Sequence, residues 1–173
     1  MSNASDALKP KRAGCLKIVV SLSLLALIGI VLIPVAIVYI VRDVSLRLTF
    51  GRAARQGKFI LFVYSDSPNW KTYIEDNLLS RIQCHATVLN WSQRKRWDTT
   101  SWPVRAFEHW GGREDFNPLA VVFCGLTKVR VLRFYRAFQD FKHGKEAPLR
   151  KVESELLELA EALTVIERGT RQS

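Results

Sequence analysis

The longest stretch without Asp, Glu, Lys, Arg or His runs from Ile18 to Val41, 24 residues in succession. As a helix with a rise of about 1.5 Å per residue it would extend roughly 36 Å, more than the ~30 Å hydrocarbon core of a bilayer. A cleaved signal peptide has a shorter apolar stretch and a small-residue cleavage site. Here the run leads directly into Arg42-Asp43. The pattern predicts a retained signal-anchor, a single transmembrane helix at residues 18–41.

Basic residues flank this run on both sides and give little information about its orientation. Lys9, Lys11, Arg12 and Lys17 precede it, and Arg42, Arg47, Arg52, Arg55 and Lys58 follow it. Because orientation depends on an asymmetry of Lys and Arg, these flanks do not decide it. We expect the C-terminal domain on the cytoplasmic side of the membrane, since it is Arg-rich and its cysteines show no pairing pattern.

The remainder of the chain has the length of one domain with one core. We expect a basic tail at 1–17, a juxtamembrane linker at 42–57, an α/β domain at 58–168 and a C-terminal tail at 169–173. Residues 42–173 contain 22 Lys and Arg against 15 Asp and Glu, a net charge of +7. Such a surface favours anionic lipid headgroups, nucleic acid or acidic proteins as partners.

The domain begins with a β-α-β pattern. Lys58–Tyr64 is a short apolar run, which predicts a strand buried on both faces. Apolar residues at helical spacing predict a helix from about Pro68 to Ile82, and His85–Trp91 predicts the second strand. Upstream, Val44–Phe50 alternates apolar and polar residues; this pattern fits a half-buried strand, and a continued helix with a basic face is the alternative.

The second half of the domain contains one ambiguous segment. Trp102–Trp110 predicts a short helix and Leu119–Cys124 a third strand. Lys128–His143 has the alternation of a strand at its start and helical spacing later, which a strand changing to a helix near Phe134 would satisfy. The last helix has an apolar stripe of Val152, Leu156, Leu159, Leu163 and Ile166, and a polar side of Glu153, Glu155, Glu158 and Glu161.

The order strand, helix, strand, helix, strand, strand, helix resembles that of the thioredoxin-like fold. Pro118, just before the third strand, stands where that family places the proline next to its active site. The resemblance implies a small three-layer α/β domain. The turn after the first strand, where the family carries its cysteine pair, contains no cysteine, so thiol–disulfide exchange is not implied. If Lys128–His143 is wholly helical, a flavodoxin-like or TIR-like parallel sheet becomes the better description.

A candidate ligand site lies in the turn after the first strand. Ser65, Asp66, Ser67 and Asn69 supply polar side chains there, with Pro118 as their expected neighbour. In an open α/β sheet, ligands bind where strands end and helices begin. The alternative is simple capping of the following helix, which the negative charge of Asp66 and the absence of glycine in the turn favour.

A candidate lipid or partner patch combines aromatic rings with cations. Trp91, Arg94, Lys95, Arg96 and Trp97 form a basic and aromatic loop, and Arg130, Arg133 and Arg136 follow at intervals of three. Tryptophan and basic residues suit a membrane interface, and the same mixture suits single-stranded nucleic acid. On a helix the three arginines would form one stripe, whereas on a strand they would point to both faces. Solvated charges around core tryptophans are the alternative.

No residue pattern predicts catalysis, a cofactor or a metal. His85, His109 and His143 lie far apart in sequence, and Cys15, Cys84 and Cys124 fit no metal or redox spacing. We expect Cys84 and Cys124 to be buried thiols.

The sequence therefore predicts a membrane-anchored, non-enzymatic interaction domain that meets a protein partner or anionic lipid. A membrane-tethered enzyme with its site at Ser65–Asn69 is the first alternative. Nucleic-acid binding through the Trp/Arg/Lys loop is the second, and the nearby bilayer makes it the less favoured.

Overall fold

The computed structural model describes residues 9–112 and 117–171. The chain divides into two compact units, Met1–Asp43 and Val44–Ser173. Because the second unit begins at Val44, part of the predicted 42–57 linker belongs to the same compact unit as the α/β domain.

Helix α1 spans Lys9–Arg55 and contains Pro34. From Ile28 it is long and apolar enough to cross a membrane, with a mean hydropathy of 2.1, and no residue of its most apolar 18-residue stretch is buried. A signal sequence has the same features. Residues 44–55 are helical, so the strand interpretation of Val44–Phe50 is wrong and the helical alternative is confirmed. Leu46 and Phe50, four residues apart on one helix face, are 1% and 0% exposed and belong to the core.

Four strands form one mixed sheet: β1 (Ile60–Tyr64), β2 (Ala86–Asn90), β3 (Leu119–Phe123) and β4 (Val129–Arg133). Their spatial order is β2-β1-β3-β4. β1 pairs parallel to β2, whereas the β1–β3 and β3–β4 pairs are antiparallel. Every residue of β1 and β3 is buried, as their uninterrupted apolar sequences require. The antiparallel pairs exclude the wholly parallel flavodoxin-like or TIR-like alternative.

The connection from β1 to β2 is helical over residues 71–82, as α2 (Lys71–Tyr73), a π-helical stretch Ile74–Leu79 and α3 (Ser80–Ile82). It begins three residues after Pro68, because residues 68–70 form a turn. Ile74, Leu78 and Ile82 are its buried side chains. Their spacing of four matches the predicted apolar stripe.

The second half confirms the predicted change from strand to helix. After β2 come a 3₁₀ helix (Trp91–Arg96), α4 (Trp102–Ala106) and a π-helical turn (Phe107–Gly111). β4 ends at Arg133, the side chain of Phe134 is fully buried, and α5 (Tyr135–Lys142) follows. The long helix α6 (Ala147–Arg171) completes the domain.

The buried face of α6 differs from the predicted one at both ends. Leu149 and Leu156 are fully buried, whereas Ile166, expected in the apolar stripe, is 63% exposed. Glu153, expected in solvent, is 8% exposed. Its Oε2 lies 3.4 Å from Nη1 of Arg150, which also donates a hydrogen bond to the Tyr73 hydroxyl at 3.0 Å. A charged partner one turn away thus accompanies the burial of this carboxylate.

Candidate functional site

The residues of the predicted ligand turn meet at one end of the sheet. Tyr64 closes β1 and pairs with Asn90, the last residue of β2. In the antiparallel β1–β3 pair, Val63 opposes Leu119, so Pro118 is next to the end of β1. Asn117-Pro118 is a cis peptide bond, and the Pro118 carbonyl accepts a hydrogen bond from the Phe134 amide at 2.9 Å. The expected proximity of the turn and Pro118 follows from this register.

Asp66 makes three polar contacts within the domain, two through its carboxylate and one through its main-chain amide. Its carboxylate Oδ1 lies 2.8 Å from Nζ of Lys71 and accepts a hydrogen bond from Nδ2 of Asn90 at 3.0 Å. Its main-chain amide donates to the hydroxyl of Ser92 at 2.9 Å. The Lys71 ammonium and the Asn90 amide hold the pKa of Asp66 below its usual 3.8. The carboxylate therefore fastens the turn to the first helical residue and to the end of β2.

The remaining polar groups of the turn also bond locally. Nε1 of the buried Trp70 donates to the Ser65 hydroxyl at 3.3 Å. The Ser67 carbonyl accepts from the amides of Trp70 and Lys71 at 3.2 and 3.0 Å. These contacts are those of a helix-initiating turn, in which Asp66, Pro68 and Asn69 are exposed. Local contacts therefore hold the turn in place, but no side-chain hydrogen bond caps α2, so the capping interpretation stays a prediction.

A buried tyrosine lies directly before this turn. The Tyr64 hydroxyl donates to Oε1 of Glu75 at 2.8 Å. Burial and this hydrogen bond raise the pKa of Tyr64 from 10.0 to about 12. The phenol therefore remains protonated at neutral pH and serves as a hydrogen-bond donor.

In the predicted aromatic and basic loop, the tryptophans pack on the domain. Trp91 and Trp97 are half-buried and contact each other and Phe107 edge-on, with ring centroids 5.4 to 5.7 Å apart. The guanidinium of Arg94 lies 4.9 Å from the centre of the Trp91 ring. Lys95 and Arg96 extend into solvent. The rings thus anchor the loop, and its exposed chemistry is mainly cationic.

The three arginines at intervals of three do not form a stripe. Arg130 and Arg133 lie in β4, where an odd separation puts their side chains on opposite faces. Arg130 forms an ion pair with Glu155 of α6, and Arg133 donates a hydrogen bond to the Gly111 carbonyl at 2.9 Å. Arg136 is exposed on α5. Arg130 and Arg133 therefore lie on one edge strand of the sheet, β4, whereas the aromatic and basic loop follows the opposite edge strand, β2.

The histidine and cysteine positions give no catalytic arrangement. The ring of His85 stacks on Phe59 and lies within hydrogen-bonding distance of the Gly57 carbonyl and the Thr164 hydroxyl, at 3.2 and 3.3 Å. Cys84 is exposed, so its predicted burial is wrong, whereas Cys124 is half-buried. Within the described ranges, no three His, Cys, Asp or Glu side chains are close enough to hold a metal ion.

The sequence patterns missed an apolar groove of about 630 Å³ in the Val44–Ser173 unit. Its walls come from α1, the residue before β1, the end of β3, the turn between β3 and β4, and the end of α6. They comprise Leu48, Gly51, Ala54, Arg55, Phe59, Phe123, Cys124, Gly125, Leu126, Leu163, Ile166 and Glu167. Gly51 lets α1 pack closely on Phe123, since a Cβ there would lie 3.3 Å from Cζ of that ring. No hydrophobic periodicity could have predicted this groove, because its residues lie far apart in the sequence.

Comparisons of the chain with protein-family models, with curated proteins and with solved structures find no match.

Proposed function

We propose that this chain is a single-pass membrane protein whose α/β domain is a non-enzymatic interaction module at an anionic membrane surface. The observation that carries the proposal is the burial of Leu46 and Phe50. They are core residues only five and nine residues beyond Val41, the end of the apolar run. An anchor at 18–41 would therefore hold the domain within a few residues of the bilayer. That constraint raises the concentration of its cations at the lipid surface.

We further propose a thioredoxin-like outline for the domain. The sheet order β2-β1-β3-β4, the parallel β1–β2 pair and the position of Pro118 before β3 support it. The turn from Ser65 to Trp70 has no thiol at the place where that family carries its redox pair. Asp66 in this turn bonds to Lys71 of α2 and to Asn90 of β2, and Ser65 accepts a hydrogen bond from Trp70, which supports a scaffolding role over an enzymatic one.

Exposed cations support an anionic surface as the partner. Arg52 on α1, Lys95 and Arg96 in the loop after β2, and Arg136 on α5 are all exposed. Each basic residue near an anionic bilayer contributes about 1 kcal/mol of binding. An acidic protein is the second candidate partner, because the same cations would bind carboxylates.

The anchoring step is tested on the full chain expressed in cells. After alkaline carbonate extraction, we expect the protein in the membrane pellet, with an intact mass that retains residues 18–41. Recovery in the soluble fraction, or a mass reduced by loss of the apolar run, would refute a retained anchor.

The surface step is tested on the full chain in nanodiscs with and without phosphatidylserine, by amide hydrogen exchange. We expect phosphatidylserine to slow exchange near the exposed cations, and added salt to reverse the effect by screening. Substituting Lys95 and Arg96 by Glu should diminish the local protection, whereas substituting them by Gln should give an intermediate result. Equal exchange in both lipid compositions would contradict the lipid proposal and favour a protein partner.

A further inference from the structure

We propose that the apolar groove holds an acyl chain of an anionic phospholipid whose headgroup rests against the exposed Arg52 of α1. This inference rests on the membrane anchoring proposed above.

The walls of the groove have the chemistry of a hydrocarbon site. Leu48, Leu126 and Ile166 leave 47%, 57% and 63% of their surface exposed, and Phe123 forms part of the floor. These four side chains come from α1, β3, the β3–β4 turn and α6, and they line one concave surface. Its volume of about 630 Å³ lies within the roughly 300–1,000 Å³ typical of small-molecule sites. An apolar chain laid along it would remove these exposed surfaces from water.

Tether length and charge favour a lipid as the occupant. Leu48 is seven residues beyond Val41, and seven residues span at most about 25 Å even when fully extended. With an anchor in the bilayer, this wall of the groove cannot leave the neighbourhood of the lipids. Arg55 lines the groove together with a single acid, Glu167, and Arg52 is exposed three residues earlier on the same helix. The charges of Arg55 and Glu167 cancel, so the exposed Arg52 gives these three side chains a net charge of +1, which favours a negative headgroup.

The test uses the full chain in nanodiscs that contain a phospholipid with a photoreactive diazirine in its acyl chain. After irradiation, mass spectrometry locates the lipid adducts. We expect adducts in the peptides that contain Phe123–Leu126 and Leu163–Ile166, in addition to those in the anchor at 18–41. These groove adducts should increase when phosphatidylserine carries the photoreactive chain instead of phosphatidylcholine.

A matched pair of variants separates the groove from the general membrane surface. Leu126→Asp places a charge on the groove wall and should reduce groove adducts about tenfold, the equivalent of ~1.4 kcal/mol. Val165→Asp changes an apolar residue that is 69% exposed and is not a lining residue, so its adducts should equal those of the wild type. Anchor adducts serve as the internal reference in both variants.

The positions of the adducts distinguish failure of the groove proposal from failure of the anchoring proposal. Anchor adducts without groove adducts would overturn the groove proposal and leave the anchoring intact. Loss of both classes would overturn the anchoring itself. Equal groove labelling by the two headgroups would refute the anionic specificity.

Discussion

Replacing Phe50 by alanine tests whether the end of α1 belongs to the core of the α/β domain. The Phe50 ring is fully buried, with ring centroids 4.9 Å from Trp102, 5.2 Å from Phe123 and 6.0 Å from Trp110. Truncating a buried phenylalanine removes about 3–5 kcal/mol of stability, because transfer energy is lost and a cavity remains. With a urea dependence of about 2 kcal/mol per molar, the unfolding midpoint should fall by roughly 2 M.

The assay is urea unfolding of the full chain in detergent, followed by tryptophan fluorescence, to which Trp102 and Trp110 contribute beside the substituted position. Leu48→Ala is the matched control, since Leu48 lies two residues earlier on α1 and is 47% exposed. It should cost less than about 1 kcal/mol, because little of its contact surface is buried. If Phe50→Ala and Leu48→Ala shift the midpoint equally, α1 is a tether outside the core, and the reasoning is refuted.

Three further predictions concern titratable groups and thiols. Lys71 keeps the pKa of Asp66 below 3.8, so this carboxylate stabilises the fold above pH 3.8, and the stabilisation is lost as the pH falls through its folded-state pKa. Asp66→Asn should therefore make the free energy of unfolding, measured by circular dichroism, less dependent on pH in this acidic range. The pKa of Tyr64 is raised from 10.0 to about 12, so the free energy of unfolding should fall as the pH rises from 10.0 to 12. The Tyr64→Phe variant should lose less stability over this range. An equal loss in variant and wild type would contradict the raised pKa of Tyr64. Iodoacetamide should modify the exposed Cys84 before Cys124, since burial raises the pKa of the Cys124 thiol; the reverse order in peptide mapping would refute this.

Local patterns predicted most of the strands and helices because burial on a single face leaves a period in the sequence. The uninterrupted apolar runs gave β1 and β3, and the spacing of Ile74, Leu78 and Ile82 gave the helix between β1 and β2. The same logic was misleading at Val44–Phe50. A two-residue alternation over seven residues also contains the four-residue spacing of Leu46 and Phe50, so the pattern could not separate strand from helix.

The candidate site was predictable only in its position. The turn after β1 lies next to Pro118 because antiparallel pairing brings these residues to one end of the sheet. The sequence could not show that Asp66 bonds to Lys71 and Asn90, since Asn90 is 24 residues away. For the same reason, burial of Glu153 and exposure of Ile166 were not readable from helical spacing. Both depend on which neighbours pack against α6.

Hydrophobic content along one segment is a local property, and the sequence alone therefore determined the apolar run, the basic charge of the rest of the chain and the absence of a cysteine pair after β1. Contacts between distant segments depend on the fold. Tertiary structure alone decided that the sheet is mixed and that α1 contributes Leu46 and Phe50 to the core. It also decided that Leu48, Leu126 and Ile166 line one groove. These residues are up to 118 positions apart, and only the packing of α1 and α6 around the β3–β4 turn brings them together.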